Sequence, residues 1–213
     1  MFIGHAAVAL AAKPLMPRVN LAWPLLAAFW VDLVWPVFLL LGIERARIDP
    51  GNTAFTPLDF VHYPWTHSLV AGVVWSFLFG LCFIGRGTRV AAILGLLVLS
   101  HWVLDALSHR PDLPLWPGGP MVGLGLWYSV PATLAVELSM FAIGVALYAR
   151  AAPARDRTGI FAFWGLIAVL LLAYLGNAFG PPPPGVTALA VAGIATGPLF
   201  GLWAWWADRH RGA

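Results

Sequence analysis

The stretch Arg89-Val-Ala-Ala-Ile-Leu-Gly-Leu-Leu-Val-Leu-Ser-His101-Trp-Val-Leu-Asp105-Ala-Leu-Ser-His109 decides how this chain is read. Between Val90 and Leu99 there is no polar side chain, and the whole run has the length, about 20 residues at about 1.5 Å each, that crosses a hydrocarbon layer as a helix. Yet it carries an acid and two histidines. A charge near a bilayer centre costs roughly 2.5 to 3.5 kcal/mol on insertion scales, so these groups require a metal, a proton path or each other as partners. His101, Asp105 and His109 stand at i, i+4 and i+8 and share one helix face, drifting by about 40° per step. Imidazole and carboxylate are an ordinary ligand set for zinc and related divalent ions. The alternative is a His–Asp hydrogen-bonded pair tying helices together.

Working outward, the rest of the chain reads the same way. With 61% hydrophobic and 10% charged residues it is too apolar for a soluble globule of 213 residues. Apolar runs near 20–43, 67–84, 89–109, 126–149, 158–179 and 186–207 predict an all-α, polytopic bundle of about six membrane helices. The shorter run Phe2 to Ala12 lacks a basic leader and cleavage site, so it is expected as a retained half-inserted or docked helix, or else a short tilted span. No repeat or linker divides the chain, so residues 1–213 are read as one domain, with the polar groups confined to about 1–149. The lone Cys82 reads as a small buried apolar residue. The pI of about 9.5 does not imply nucleic acid, because the basic residues are spread over loops without aromatic platforms.

Lys13, Arg18, Arg86, Arg89, Arg150, Arg155, Arg157, Arg209 and Arg211 fall on one side of this arrangement, and Arg45, Arg47 and Arg110 on the other. The positive-inside rule then puts the C-terminus in the cytoplasm. Asp32 and His101 each lie twelve residues from the basic side, about 18 Å up their helices, with Asp105 a turn higher. The polar groups are therefore expected in the outer half of the bilayer, roofed by loops 44–66 and 110–120.

Three further elements join the first. In His62-Tyr-Pro-Trp-Thr-His67-Ser68, Thr66 is placed to cap a helix and His67 to point into the bundle, while His62 reads equally as a surface side chain. Asp32 precedes Pro36 by four residues, and Pro36 removes the amide that would bond the Asp32 carbonyl, so a kink is expected there. Such a kink suits a metal ligand or a base holding a water; a structural hydrogen bond to a neighbouring helix is the alternative. Glu137 lies in an apolar helix as a ligand, a partner orienting a histidine, or a neutral acid. His210 reads as solvent-facing. Ser68, Ser100 and Ser108 lie near histidines, but small hydroxyls are common where helices pack, and no serine or cysteine nucleophile is assigned.

His5, Asp32, His62-x-x-x-Thr66-His67-Ser68 and His101-x-x-x-Asp105, in this order over residues 1–112, resemble the membrane-bound metal-dependent hydrolases of the YdjM-like type. That family carries His-Arg-Gly-x-Thr-His-Ser, where this chain has Tyr63 and Pro64 for Arg-Gly, and Pro-Asp-x-Asp-His, where it has Val31, Val34 and Trp35 around the single acid Asp32. The family is in turn similar to zinc-dependent phospholipases C. The resemblance implies that His67, His101 and Asp105 hold one metal, that Asp105 bridges to another held with His5, and that Asp32 is the catalytic base. His109, Glu137 and His62 are further candidate ligands by position.

The expected function is a metal-dependent hydrolase, with zinc or else manganese, that cleaves a phosphoester or similar bond of a membrane lipid or lipid-linked substrate. The competing expectation is a transporter that moves protons or metal ions through the His/Asp cluster.

Overall fold

The computed structural model describes residues 1–212 and is 67% helical. In chain order the elements are α1 (Ile3–Ala11), α2 (Ala22–Ala28), α3 (Trp30–Leu40), β1 (Arg45–Ile48), β2 (Leu58–His62), α4 (Pro64–His67), α5 (Leu69–Leu81), α6 (Thr88–Ser108), β3 (Leu113–Pro114), β4 (Met121–Val122), α7 (Val130–Ala151), α8 (Arg157–Phe179) and α9 (Val186–Arg209). The strands form two small antiparallel hairpins, β1–β2 and β3–β4. Both lie in the loops beyond α3 and α6, at the end of the bundle where the polar groups were expected. The loops are tied together there, Phe55 N donating to the Trp127 carbonyl and Val70 N to that of Leu115.

Four helices, α6 to α9, are long and apolar enough to cross a membrane, or five if α2 and α3 are one bent span. Six were expected. The difference lies in two places. The run 67–84 yields only the 13-residue α5, about 20 Å of helix, because Ser68 starts it by accepting from Ala71 N and the chain turns at Ile84–Arg86. The run 20–43 breaks at Phe29, where α2 and α3 meet at 55°. The break is not at Pro36, which lies inside an α3 that stays helical to Leu40.

α1 is enclosed by protein: Ile3, His5, Ala6, Ala9 and Leu10 are all within 1% of complete burial, packed on α7 and α2 and reaching α6 and α8. Small residues permit this. A Cβ added at Gly144 would lie 2.5 Å from the Ala7 carbonyl oxygen, so α7 can meet α1 backbone to backbone only there. Gly95 does the same between α6 and α5, where a Cβ would come within 2.9 Å of the Ser76 carbonyl oxygen. Close approach through glycine is the usual means of helix association in lipid, where no hydrophobic drive between helices is available. Val73, Phe77, Leu96, Val103, Leu172 and Leu202 face outward, as lipid-facing side chains do. Cys82 is also exposed, at the C-terminal end of α5 where the helix stops, and not buried as expected; its thiol turns back to the Leu78 carbonyl.

At the opposite end from the hairpins, Lys13 Nζ donates to Asp208 Oδ2 (2.8 Å) and to the Val19 carbonyl (2.9 Å), while Tyr148 Oη donates to Asp208 Oδ1 (2.5 Å). Arg211 is likewise buried, donating to the carbonyls of Ala152 and Gly159. His210 is only partly exposed and pairs with Asp156 at 2.8 Å.

Candidate metal centre

Four imidazoles and two carboxylates meet between α1, α3, α4 and α6. Asp105 is at the middle. His5 Nε2 lies 3.2 Å from its Oδ1, and the Nε2 atoms of His101, His109 and His67 lie 3.2, 3.8 and 4.0 Å from its Oδ2. Asp32 Oδ1 faces the same group from α3, 3.4 Å from His67 Nε2 and 3.6 Å from His101 Nε2. Asp105 is almost fully buried and Asp32 is 36% exposed. The Met1 amino nitrogen also contacts Asp105 Oδ1 and lies 3.2 Å from Ser108 Oγ.

Each of three rings is held from behind through Nδ1. His101 Nδ1 donates to the Ala28 carbonyl oxygen at 2.8 Å. His67 Nδ1 donates to Thr66 Oγ1 at 2.6 Å, and that hydroxyl donates in turn to Glu44 Oε2 at 2.7 Å. His109 Nδ1 donates to Asp112 Oδ1 at 3.1 Å. Carbonyl and carboxylate oxygens only accept, and the Thr66 proton is committed to Glu44, so these contacts fix the tautomer. Where these rings are neutral, the lone pair is then on Nε2 and points at the carboxylates. This is the arrangement by which outer partners orient metal-ligating histidines.

His101 also accounts for the break at Phe29. An unbroken helix would offer the Ala28 carbonyl to the amide of residue 32, and a side chain that takes such a carbonyl bends the helix. The bend turns Asp32 toward His67 and His101.

A lone pair facing a carboxylate in a buried site is repulsive unless a proton or another cation lies between them, and on the Oδ1 side of Asp105 the Met1 amino group already supplies a positive charge. The Nε2 atoms of His5 and His101 are buried and make no hydrogen bond. Protons on His5 and His101 together are disfavoured. His5 and His101 stack face to face at 3.7 Å between centroids and 4° between planes, and two imidazolium ions so placed would repel. The donor set is also of the kind that could hold a divalent metal. In a tetrahedron with metal–ligand bonds of about 2.0 to 2.1 Å, ligand atoms lie about 3.3 to 3.4 Å apart; the imidazole–carboxylate separations here run from 3.2 to 4.0 Å, and all ligand atoms of each triad lie within 4.8 Å of one another. Two overlapping ligand triads result, His5–His101–Asp105 and Asp32–His67–His101.

The other candidates stand apart from these triads. Glu137 Oε2 accepts from Phe2 N (3.0 Å) and Gly4 N (3.1 Å), so this carboxylate holds the first turn of α1 and with it His5. His62 is exposed at the end of β2 and does not reach the cluster. Thr66 caps nothing; Ser68 caps α5, and Glu44 Oε1 accepts the Trp65 and Thr66 amides of α4. Glu44 and Asp112 escaped the sequence reading. Asp112 has a local signal, standing three residues after His109, whereas Glu44 has none, since it reaches Thr66 only through the loop fold.

Asp112 belongs to a charged chain leading outward: Arg110 Nε donates to it at 2.9 Å and Arg110 Nη2 to Asp59 at 2.6 Å, and Arg47 closes on Asp59 at 2.6 Å. Burial alone would raise the Asp112 carboxyl, but the hydrogen bond from His109 and those charges hold it below the usual range. Burial, then the Asp112 charge, push the Tyr63 phenol well above its usual range, so it stays protonated and donates to Asp112.

Two cavities open onto the cluster. One of about 300 Å³ lies under the hairpins among Phe55, Phe60, Trp127, His67, His109 and Asn177. The other, about 570 Å³, runs down between α2, α8 and α9 and is almost wholly apolar. Asp32, Phe2 and Gly193 line both. No family model matches the chain, and neither a curated protein nor a solved structure matches it, so the functional argument stands on the residues and geometry of this site.

Proposed function

We propose that this protein is a membrane-embedded, metal-dependent hydrolase acting on a phosphoester or similar bond of a lipid or lipid-linked substrate. The observation that carries the reading is the convergence of buried, unpartnered His5 and His101 Nε2 atoms on Asp105, with His67 and Asp32 alongside. His67, His101 and Asp105 would hold a divalent ion, with zinc the best match to the ligand types. His5 would hold a second through the other oxygen of Asp105, in place of the Met1 amino group that contacts this oxygen. A divalent ion there supplies a lowered pKa for a coordinated water, toward about 7, and stabilises charge on phosphoryl oxygens.

Asp32 is the one carboxylate of the cluster that is partly exposed and faces both cavities, which suits it to orient a water and take its proton. The Glu44–Thr66 pair and Asp112 keep His67 and His109 from turning away. The positive-inside rule, with Arg86, Arg89, Arg150, Arg155, Arg157 and Arg209 beyond the far end of the bundle, supports a cytoplasmic C-terminus and a site in the outer half. Lys13 and Arg211 add less to that count than expected, because both are buried.

The chain Arg47–Asp59–Arg110–Asp112–His109–Asp105 favours a second reading, a proton- or metal-coupled transporter. That reading needs a polar exit on the other side. There the second cavity is walled by Leu25, Leu26, Leu166 and Leu170, so the hydrolase ranks first.

The test is metal content of the detergent-purified protein by plasma mass spectrometry, with His101→Ala/Asp105→Ala alongside. One or more equivalents of zinc or manganese in the wild type, absent from the variant, is expected and would be followed by a screen of lipid phosphoesters. No metal in either protein overturns the metal reading, and uptake of protons or metal ions into proteoliposomes that depends on Asp32 would put the transporter in its place.

A further inference from the structure

The apolar cavity has a shape that the hydrolytic chemistry does not require. Its walls are Leu25, Leu26 and Phe29 on one side and Leu166 and Leu170 on another, and its floor is α9. Along α9 the floor includes Gly193, Gly197 and Gly201, one helical turn apart, among the larger side chains of Thr196, Phe200 and Leu202. The first two are explained by packing: a Cβ at Gly197 would come within 2.0 Å of Leu33, and one at Gly193 within 3.0 Å of Pro36. Gly201 is not, since a Cβ there would meet nothing within 4 Å. Space is left open at this position with no neighbour that needs it.

The groove runs from Gly193 to Trp205, twelve residues of α9 and so about 18 Å. Half of a typical hydrocarbon core is about 15 Å. The groove is therefore about as long as one leaflet is thick, and it runs from the level of Asp32 toward the basic end of the bundle, away from the hairpins. At one end it meets Asp32 and the metal-ligand cluster; along its rim Leu202 and Trp205 are 66% and 44% exposed, so it is open sideways to the surroundings of the bundle. A polar reaction centre at the end of an apolar trough of leaflet length, reached from the side, fits an amphiphile that enters from the bilayer.

We propose that this groove binds the acyl chain of the substrate, placing the headgroup phosphoester at Asp32 between the two cavities; this rests on the hydrolase reading above. The headgroup lies in the cavity under the hairpins, and the chain descends past Phe29 to Gly201 and Trp205. The length of the groove then selects phospholipid-like substrates over water-soluble phosphoesters of the same chemistry.

The probe is a phosphatidic acid carrying a diazirine near the end of its acyl chain, in phosphatidylcholine vesicles holding the full-length protein. A diazirine-tailed diacylglycerol, which has no phosphate, serves as its control. Photolabelling is mapped by mass spectrometry on wild type and on Gly201→Ala, Gly201→Leu and Gly201→Phe. These variants replace glycine in a helix, which favours the helix, and fill space that is open. The expected result is labelling of α2, α8 and α9 around Leu166, Phe200 and Trp205 by the phosphatidic acid, several-fold above the diacylglycerol and falling stepwise with side-chain size at residue 201. Equal labelling by both probes overturns the proposal and leaves a structural lipid in the groove. Labelling confined to outward residues such as Phe77 and Leu172, unchanged by Gly201→Phe, overturns it as well. Metal content reports separately: a protein without metal but with phosphate-dependent labelling of the groove retains the lipid site and loses the hydrolase.

Discussion

His101 Nδ1 donates to the backbone carbonyl of Ala28 at 2.8 Å, and this single contact both fixes the tautomer of a candidate ligand and marks the bend that brings Asp32 to it. His101 is thus as much a part of the backbone of the α2–α3 unit as of the site. His101→Ala should therefore lower stability even in chelator-treated protein, by about 1 to 3 kcal/mol, the cost of leaving a buried carbonyl unpartnered. Thermal or denaturant unfolding in detergent with chelator present reads this directly. An unchanged midpoint would mean that the bend does not depend on His101.

Thr66→Val removes one hydroxyl at nearly constant volume and with it both links of the Glu44–Thr66–His67 relay. Outer partners of metal-bound histidines are worth about 10- to 100-fold in metal affinity. Competition with a chelator should show a loss in that range for Thr66→Val, while His62→Ala, an exposed side chain on β2, leaves the affinity unchanged.

Metal retention should fall as pH drops, because ligating imidazoles must be neutral and protons compete for Nε2. The Asp112 network should not cause this. Its carboxyl is held below the usual carboxylate range, so the stability it contributes is present above that range and is lost only as pH falls through the lower folded value. Metal content measured after dialysis from pH 7.5 to 5.0 should therefore decline without a parallel loss of helix by circular dichroism.

Lys13 and Asp208 form a buried pair, 4% and 6% exposed, that joins the turn after α1 to the end of α9. Removing one partner of a buried pair leaves a charge without compensation and costs about 3 to 5 kcal/mol. Lys13→Met should lower the unfolding midpoint sharply and reduce the yield of folded protein. A melt like the wild type would show that Tyr148 and the Leu21 amide alone satisfy Asp208.

Glu137→Ala frees the amides of Phe2 and Gly4. The loss should be about 1 kcal/mol of helix-start stabilisation, and because α1 carries His5, any second metal equivalent should go with it while the first remains. Loss of both equivalents together would make Glu137 part of a single shared centre.

By itself the sequence determined what is local in origin. The apolar runs of α6 to α9 fixed membrane-length helices, and the spacing of His101, Asp105 and His109 fixed their common face, because helical periodicity depends only on neighbours along one segment. Tertiary structure decided the rest. It brought His5 and Asp32 onto Asp105 from separate helices, placed the α2–α3 bend at Phe29 instead of Pro36, ended α5 after 13 residues and recruited Glu44 from a distant loop. It also turned Glu137 to the first turn of α1 and left His62 on the surface. None of these has a period or a spacing to read, since each depends on which carbonyl, amide or lone pair another segment presents once the helices have packed.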